Sequence, residues 1–307
     1  MNRAIIVPLD GSAFGEQALP LASAIAGRSG AALHLAHVHV PMSAPVYMPG
    51  MPVIDPELHS LSREHERSYL EGIAQRLPDT LRERTRVVLL DPPVAVALGE
   101  YAAGLPADLI VMTTHGRGGL ARVWLGSVAD RLVRHSTTPV LLLRPREAEA
   151  EQQIATFRRI LIPLDGSPLA EQMLPPALAL GQLMDARYIL LQVVEPFDVH
   201  GFTPGLDIAM LEREVIRERH AQARAYLADV IERFTLSEYQ PQTQILDAHQ
   251  PAHAILEAVR LYACDLIALA THGHGGFARL LLGSVVDKVV RGSDVPVLLF
   301  HPQPASG

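Results

Sequence analysis

The stretch Thr113–Ser127, TTHGRGGLARVWLGS, recurs later in the chain as Ala270–Ser284, ATHGHGGFARLLLGS. Between Thr114–Asp130 and Thr271–Asp287, twelve of seventeen positions are identical. Each stretch follows a short apolar run and ends in Gly-Ser, where a second periodic segment begins. A strand that leads through a glycine-rich turn into a helix gathers backbone N–H groups around one point. The pattern therefore predicts an anion site, most often a phosphate site, at two equivalent places.

Further segments repeat at a nearly constant distance along the chain. The pairs are Arg3–Ser12 with Arg159–Ser167, Glu16–Pro20 with Glu171–Pro175, and Thr138–Leu143 with Val295–Phe300. A repeat of this length predicts two copies of one folding unit. A chain of 307 residues suits two domains of average size. We predict domains at 1–147 and 157–307, joined by the polar linker 148–156.

Each copy alternates short apolar runs with helical patterns. In the first copy we predict strands near 4–8, 32–39, 85–90, 108–113 and 139–143, and helices near 13–28, 57–77, 94–103 and 127–135. In the second copy we predict strands near 159–163, 187–194, 242–246, 265–270 and 296–300. Alternating strands and helices with near-continuous apolar strands predict a parallel sheet covered on both faces. The expected fold class is α/β, with two tandem Rossmann-like domains.

Helix starts are marked by two kinds of signal. Ser167 followed by Pro168 predicts a cap and a first-turn proline. Ser127 with Asp130, and Ser284 with Asp287, have the spacing of a capping box, which predicts that each serine caps its helix.

Composition narrows the range of partners. The net charge of −7 disfavours a nucleic-acid backbone as partner, since there is no basic surplus to release counterions. The single cysteine, Cys264, cannot form an internal disulfide. The N-terminus lacks the pattern of a signal peptide, and no run reads as a membrane span. We expect a cytoplasmic protein that uses neither nucleic acid nor membrane as partner.

Three features fall at the carboxyl ends of predicted strands in each copy, where ligands of open parallel sheets bind. The acidic residues Asp10 and Asp165 follow the first strand, and Val38 and Val193 lie near the end of the second. The glycine-rich stretch follows the fourth strand. An acidic group, an apolar wall and an N–H-rich turn suit the ribose, base and phosphate of a nucleotide. Loops 41–56 and 195–207 are either lids over this site or exposed connections.

These residues make the chain resemble a tandem member of the universal stress protein family, over nearly the whole of both copies. Nucleotide-binding members carry a glycine, two residues, a glycine, nine residues and Gly-Ser or Gly-Thr. Gly116 with Gly126, and Gly273 with Gly283, match this spacing, each of the later glycines being followed by serine. Thr113 and Ala270 replace the leading glycine. Since Ala270 has the smaller side chain, we expect the second copy to be the better site.

The resemblance implies five-stranded parallel sheets of the adenine nucleotide alpha hydrolase-like type. It implies that ATP or a related adenine nucleotide binds, with Mg²⁺, in a protein of stress adaptation. Asp10 and Asp165 are then expected at the ribose or a phosphate-bound metal ion, and Val38 and Val193 at the adenine. The candidate nucleotide-binding residues of the first copy are Asp10, Val38, Thr113, His115, Gly116, Gly119, Gly126, Ser127 and Val128. Those of the second copy are Asp165, Val193, Ala270, His272, Gly273, Gly276, Gly283, Ser284 and Val285.

Family analogy also implies how the copies assemble. The last strands of the two domains are expected to pair antiparallel, so that one chain forms an intramolecular pseudo-dimer. Association of two such chains as a homodimer, and unidentified protein partners, rest on the same analogy.

Several simpler interpretations stay open at this point. The Asp-Gly-Ser segments also suit plain strand-to-helix turns. His37 and His39 share one strand face, where buried, hydrogen-bonded imidazoles are more common than a metal site. We find no catalytic nucleophile and no Walker lysine, which favours holding a nucleotide over cleaving it. Three functions remain: a nucleotide-binding regulator, a slow ATPase or nucleotide-processing enzyme, and a scaffold with vestigial pockets.

Overall fold

The computed structural model describes residues 3–41, 56–114, 125–145, 156–196, 208–271 and 282–301, with side chains in 208–212 left aside. The chain divides into two compact units, Met1–Thr156 and Phe157–Gly307. Each unit runs through the same order of strands and helices in its described part, as the internal repeat predicts.

The first unit contains five strands in its described residues. They are β1 (Ala4–Pro8), β2 (Ala32–Val38), β3 (Thr85–Leu90), β4 (Ala107–Thr113) and β5 (Val140–Leu143). The helices between them are α1 (Ala13–Glu16), α2 (Leu19–Ser29), α3 (Pro56–Gln75), α4 (Asp79–Arg82), α5 (Val94–Ala103) and α6 (Ser127–His135).

The second unit repeats this series. Its strands are β6 (Arg159–Pro163), β7 (Arg187–Val194), β8 (Gln242–Asp247), β9 (Leu266–Ala270) and β10 (Val297–Phe300). Its helices are α7 (Pro168–Glu171), α8 (Leu174–Met184), α9 (Ile208–Arg233), α10 (Pro251–Leu261) and α11 (Ser284–Gly292), with a 3₁₀ turn at Leu236–Tyr239. No helix in the described ranges combines the length and the apolar character needed to cross a bilayer.

Each unit is built on a parallel sheet, so the predicted α/β class is confirmed. The strand order of the first unit is β3-β2-β1-β4-β5, and that of the second unit is β8-β7-β6-β9-β10. The central strands are buried on both faces; Ile5, Ile6 and Val7 of β1 are at most 1% exposed. Such near-continuous apolar strands are typical of a parallel sheet between two helical layers.

The two faces of β2 carry different polar contacts, because side chains alternate along a strand. His34 points to α5, where its Nδ1 lies 2.8 Å from the hydroxyl of Tyr101. His37 and His39 point to the opposite layer, where both approach Glu66 of α3. The histidines of this strand therefore belong to two separate environments.

The helix predicted at 13–28 is wrong in one respect, since the structure has two helices there. α1 ends at Glu16, and α2 begins at Leu19 with Pro20 in its first turn. Proline has no N–H to donate to the carbonyl four residues earlier, so a single helix would break at Pro20. The second unit shows the same break between α7 and α8, with Pro175 in the first turn of α8.

The predicted capping boxes are also wrong. Gly126 and Gly283 occupy the N-cap positions, without a side-chain cap, and Ser127 and Ser284 are the first helical residues. The acidic partner in each box instead pairs with the arginine four residues later, as Asp130 does with Arg134 at 2.7 Å. By contrast, the cap predicted at Ser167 is confirmed: its hydroxyl accepts a hydrogen bond from the Ala170 amide at 3.1 Å.

We expect His34 to make the stability of the protein depend on pH. Burial, and secondarily the charge of Arg86, lower the pKa of His34 below its ordinary 6.5. The unfolded chain then binds the proton more readily than the folded chain, so protonation of His34 favours unfolding. The contribution of neutral His34 to the free energy of unfolding is therefore complete above the unfolded pKa and is lost as the pH falls through the folded pKa. When denaturant unfolding is compared between about pH 8 and about pH 5, the free energy of unfolding should fall less in His34→Ile than in the wild type. Isoleucine is the residue of the second unit at the corresponding position, Ile189. If the free energy of unfolding of this variant changes with pH as steeply as that of the wild type, the assignment to His34 is contradicted.

Candidate functional site

A crevice opens in the first unit at the carboxyl ends of the strands. β1 lies between β2 and β4, so the chain leaves β1 toward one side of the sheet and later returns on the other. Such a reversal of strand order leaves room between the loops that follow the two central strands. In this unit the crevice therefore lies beyond Pro8 of β1 and Thr113 of β4.

The crevice contains a cavity of about 660 Å³. This volume lies within the range that small-molecule sites occupy, about 300–1,000 Å³. Six of the predicted residues line it, namely Asp10, Val38, Thr113, Gly126, Ser127 and Val128. Apolar side chains that the sequence did not single out complete one wall, among them Val94, Leu98 and Met112. The structure thus brings the predicted acidic residue, valine and helix start to one cavity.

Asp10 is held in a tight turn. Its Oδ1 accepts hydrogen bonds from the Ser12 amide at 3.0 Å and from the Ser12 hydroxyl at 2.6 Å. Gly11 between them has a φ of +79°, a conformation that residues with a Cβ rarely adopt. The turn that we considered as a simple alternative is therefore present. It also fixes the carboxylate at the cavity wall, so the two interpretations are compatible.

The backbone of Val38 is left unpaired at the end of β2. The amide of Leu9 still donates to the Ala36 carbonyl at 2.8 Å, but β1 turns away after that point. In a continued ladder the Val38 amide would donate to the Leu9 carbonyl. The His37 ring takes its place, with Nδ1 donating to that carbonyl at 2.7 Å. Within the described residues, neither N–H nor C=O of Val38 has a hydrogen-bond partner, and the residue lines the cavity.

The start of α6 supplies donors on the other side of the cavity. The Gly126 amide is already used, since it donates to the Thr114 carbonyl at 2.9 Å. The first bond of the helix runs from the Asp130 amide to the Gly126 carbonyl at 2.9 Å. In the described part of the chain nothing accepts from the amides of Ser127, Val128 and Ala129. Three N–H groups and the positive end of the helix dipole therefore meet at this end.

Replacement of the family's leading glycine causes no backbone strain. Thr113 is the last residue of β4 and Ala270 the last of β9, and both are buried. Neither is among the described residues with positive φ. An extended residue with negative φ accepts a Cβ without strain, so neither the threonine nor the alanine distorts the backbone at this position.

The second unit repeats the elements of this arrangement. Asp165 accepts from the Ser167 amide at 3.0 Å and from its hydroxyl at 2.6 Å, and Gly166 has a φ of +84°. Val193 of β7 also has no backbone hydrogen-bond partner among the described residues. The Gly283 amide donates to the Thr271 carbonyl at 3.2 Å, and Ser284 and Val285 begin α11. A Cβ on Gly283 would lie 3.0 Å from that carbonyl oxygen, which explains the glycine.

Six predicted site residues lie outside the described residues. They are His115, Gly116, Gly119, His272, Gly273 and Gly276. The same holds for most of the two glycine-rich stretches.

Glu66 is a cavity residue that the sequence did not reveal. Its Oε2 accepts from His39 Nδ1 at 2.8 Å, and its Oε1 lies 3.6 Å from His37 Nε2. Since α3 buries Leu70 and Ile73, the position four residues before Leu70 is on the same helix face. This spacing was the available signal. In the described residues no group of three or more acidic, histidine or cysteine side chains has metal-binding geometry.

Similar proteins are known by sequence. A universal stress protein of Mycobacterium tuberculosis is 28% identical over 310 residues, which cover 96% of each chain. A second, from Mycolicibacterium smegmatis, is 26% identical over 306 residues and covers 97% of each. One from Thermus aquaticus is 33% identical over 144 residues, which are 47% of this chain and the whole of that protein.

Solved structures show the same fold. The crystal structure of a universal stress protein from Archaeoglobus fulgidus matches with a TM-score of 0.64 at 17% identity, over 97% of this chain and 96% of that chain. A functionally unknown protein from Pseudomonas aeruginosa also has a TM-score of 0.64, at 19% identity, over 98% and 92%. The model of the family described as "Universal stress protein family" matches residues 1–144 and 156–301. The chain therefore belongs to the universal stress protein family, and both of its halves carry the family's domain.

Proposed function

We propose that the protein holds ATP or a related adenine nucleotide in one or both of its units, as a regulator in stress adaptation. The observation that carries the proposal is the cavity of about 660 Å³, which is lined both by Val38 with its unpaired backbone and by the start of α6 with its unpaired amides. The family name supports the role in stress; the cavity supports the nucleotide.

The backbone of Val38 suits the edge of adenine. This edge presents an amine hydrogen as donor and the neighbouring ring nitrogen as acceptor. The Val38 carbonyl would accept from the amine, and the Val38 amide would donate to the ring nitrogen. Both groups are buried at a site where Val38 is 7% exposed, so leaving them unpaired costs free energy that a matching ligand recovers.

The start of α6 suits the phosphates. An anion at a helix N-terminus is stabilised by the unpaired amides and by the helix dipole. The lining residues described for this cavity include no lysine or arginine. Lys288, the only lysine of the sequence, lies exposed on α11. Among the described lining residues the phosphates would therefore meet backbone amides and no cationic side chain, which favours holding over cleavage.

Asp10 lies between these two ends and suits a ribose hydroxyl or a phosphate-bound Mg²⁺. Magnesium usually takes one or two carboxylates and completes its shell with phosphate oxygens and water. Asp10 places one carboxylate on the cavity wall, so the residue type fits this mode. Asp165 has the same place in the second unit.

Calorimetric titration of nucleotide-free protein with ATP tests the proposal. We expect saturable binding with up to two sites per chain. ATP at a free concentration of 100 times its Kd should also raise the free energy of unfolding by about 2.7 kcal/mol. A titration without heat, together with a thermal unfolding midpoint that ATP leaves unchanged, would contradict the proposal.

A further inference from the structure

The two proposed sites differ at the wall beside the valine. In the first unit, His37 of β2 and Glu66 of α3 both line the cavity. In the second unit, Gln192 precedes Val193 in place of His37. Arg76 pairs with Glu16, and Arg233 pairs with Glu171, so these arginines are equivalent. Ten residues before them lie Glu66 and the buried Ala223. The carboxylate is therefore specific to the first unit.

Neighbouring groups fix the orientation of Glu66. His39, whose side chain is 1% exposed, donates to Oε2 at 2.8 Å, and the Ser62 hydroxyl lies 3.4 Å from Oε1. His37 is fixed as well, because the Leu9 carbonyl can only accept and Nδ1 must carry the hydrogen. The side chain of Glu66 is 17% exposed, which leaves part of the carboxylate open to the cavity.

Glu66 belongs to the base end of the site. Glu66 approaches His37, which directly precedes Val38 in β2. The amides proposed to bind phosphate belong to α6, which follows β4, and β1 lies between β2 and β4 in the sheet. An ionised carboxylate accepts hydrogen bonds and cannot donate them. It is also unfavourable next to a phosphate. The ligand part that it suits is an uncharged group with an N–H donor.

We propose that Glu66 determines base specificity in the first site, by accepting a hydrogen bond from the exocyclic amine of adenine. This inference rests on the proposed function and deepens it. Val38 takes one hydrogen of the amine and Glu66 takes the other. A base with a carbonyl oxygen or a bare hydrogen at that position gains nothing from Glu66. The second site, with Gln192 and Ala223, lacks this contribution and discriminates less.

Binding of ATP is compared with binding of purine riboside triphosphate, which has hydrogen in place of the amine. The first site is isolated in a Ser284→Asp background, which places a carboxylate at the phosphate end of the second site. Glu66→Ala, which copies the second unit, should reduce the preference for ATP by about tenfold. Glu64→Gln, on the exposed side of the same helix, should leave the preference unchanged.

A gain of function makes the test independent of any loss of folding in Glu66→Ala. Gln192→His combined with Ala223→Glu should raise the preference of the second site for ATP, measured in a Ser127→Asp background. Binding of ATP with the same preference in all these variants would overturn the inference but leave the proposed function intact. If Glu66→Ala weakens binding of ATP but not of 2′-deoxy-ATP, Glu66 contacts the ribose, and the inference is overturned as well. Absence of ATP binding in the wild type would overturn both.

Discussion

Ser127→Asp is expected to weaken ATP binding at the first site by at least about tenfold, while binding of adenosine stays unchanged. Ser127 is exposed, is the first residue of α6 and lines the cavity. A carboxylate there would lie close to the bound phosphates. Two unit charges about 4 Å apart repel by about 4 kcal/mol near a protein surface, before salt screening. Adenosine carries no phosphate and should not respond. The measurement is a calorimetric titration with both ligands.

The same substitution should not damage the fold. A negative charge in the first turn of a helix is stabilising by about 0.3–1 kcal/mol. Loss of ATP binding together with a stable fold therefore distinguishes a phosphate site from a misfolded variant. Ser127→Ala serves as the control for loss of the hydroxyl, and Ser284→Asp tests the second site. Equal weakening for ATP and adenosine would place the phosphates elsewhere.

Phe157→Ala is expected to destabilise the second unit by about 3–5 kcal/mol, the usual cost of removing a buried aromatic ring. Phe157 precedes β6 and is fully buried, at 0% exposure, although it belongs to no strand or helix. The repeat places Asn2 at the equivalent position of the first unit, so this anchor is specific to the second. Removing the ring leaves a cavity that the neighbouring side chains fill only in part.

Denaturant unfolding, followed by circular dichroism, measures this effect. Leu261→Ala is the control, because Leu261 is 69% exposed and its truncation should change the free energy of unfolding by no more than about 0.5 kcal/mol. A Phe157→Ala variant that unfolds at the denaturant concentration of the wild type would show that the ring does not stabilise the unit.

The repeat and the apolar periodicity predicted the main features of the fold. They located the strands of both units and placed Asp10 and Val38 at the carboxyl ends of β1 and β2. The errors were local. The spacing of Ser127 and Asp130 suits a capping box, but Arg134 competes for the carboxylate and Gly126 takes the cap position. Sequence spacing alone does not decide whether Asp130 pairs with the start of the helix or with Arg134, because the two partners lie three and four residues away along the chain.

The parts of the site that the sequence did not predict depend on contacts between distant segments. That the Val38 backbone is unpaired follows from where β1 turns away and from the His37 ring that occupies the Leu9 carbonyl. No property of Val38 itself indicates this. Glu66 is 27 residues from His39 along the chain, and an exposed helix face predicts a glutamate equally well.

The backbone amides of the first unit provide the most direct test of the account. Nuclear magnetic resonance spectra of ¹⁵N-labelled, nucleotide-free protein would be recorded during addition of ATP. We expect large and saturable shifts at the amides of Val38, Ser127, Val128 and Ala129, because these groups gain hydrogen-bond acceptors from the ligand. Adenosine should shift Val38 and leave the amides of α6 nearly unchanged. Saturation with ATP without a shift at Val38 would contradict the proposed site.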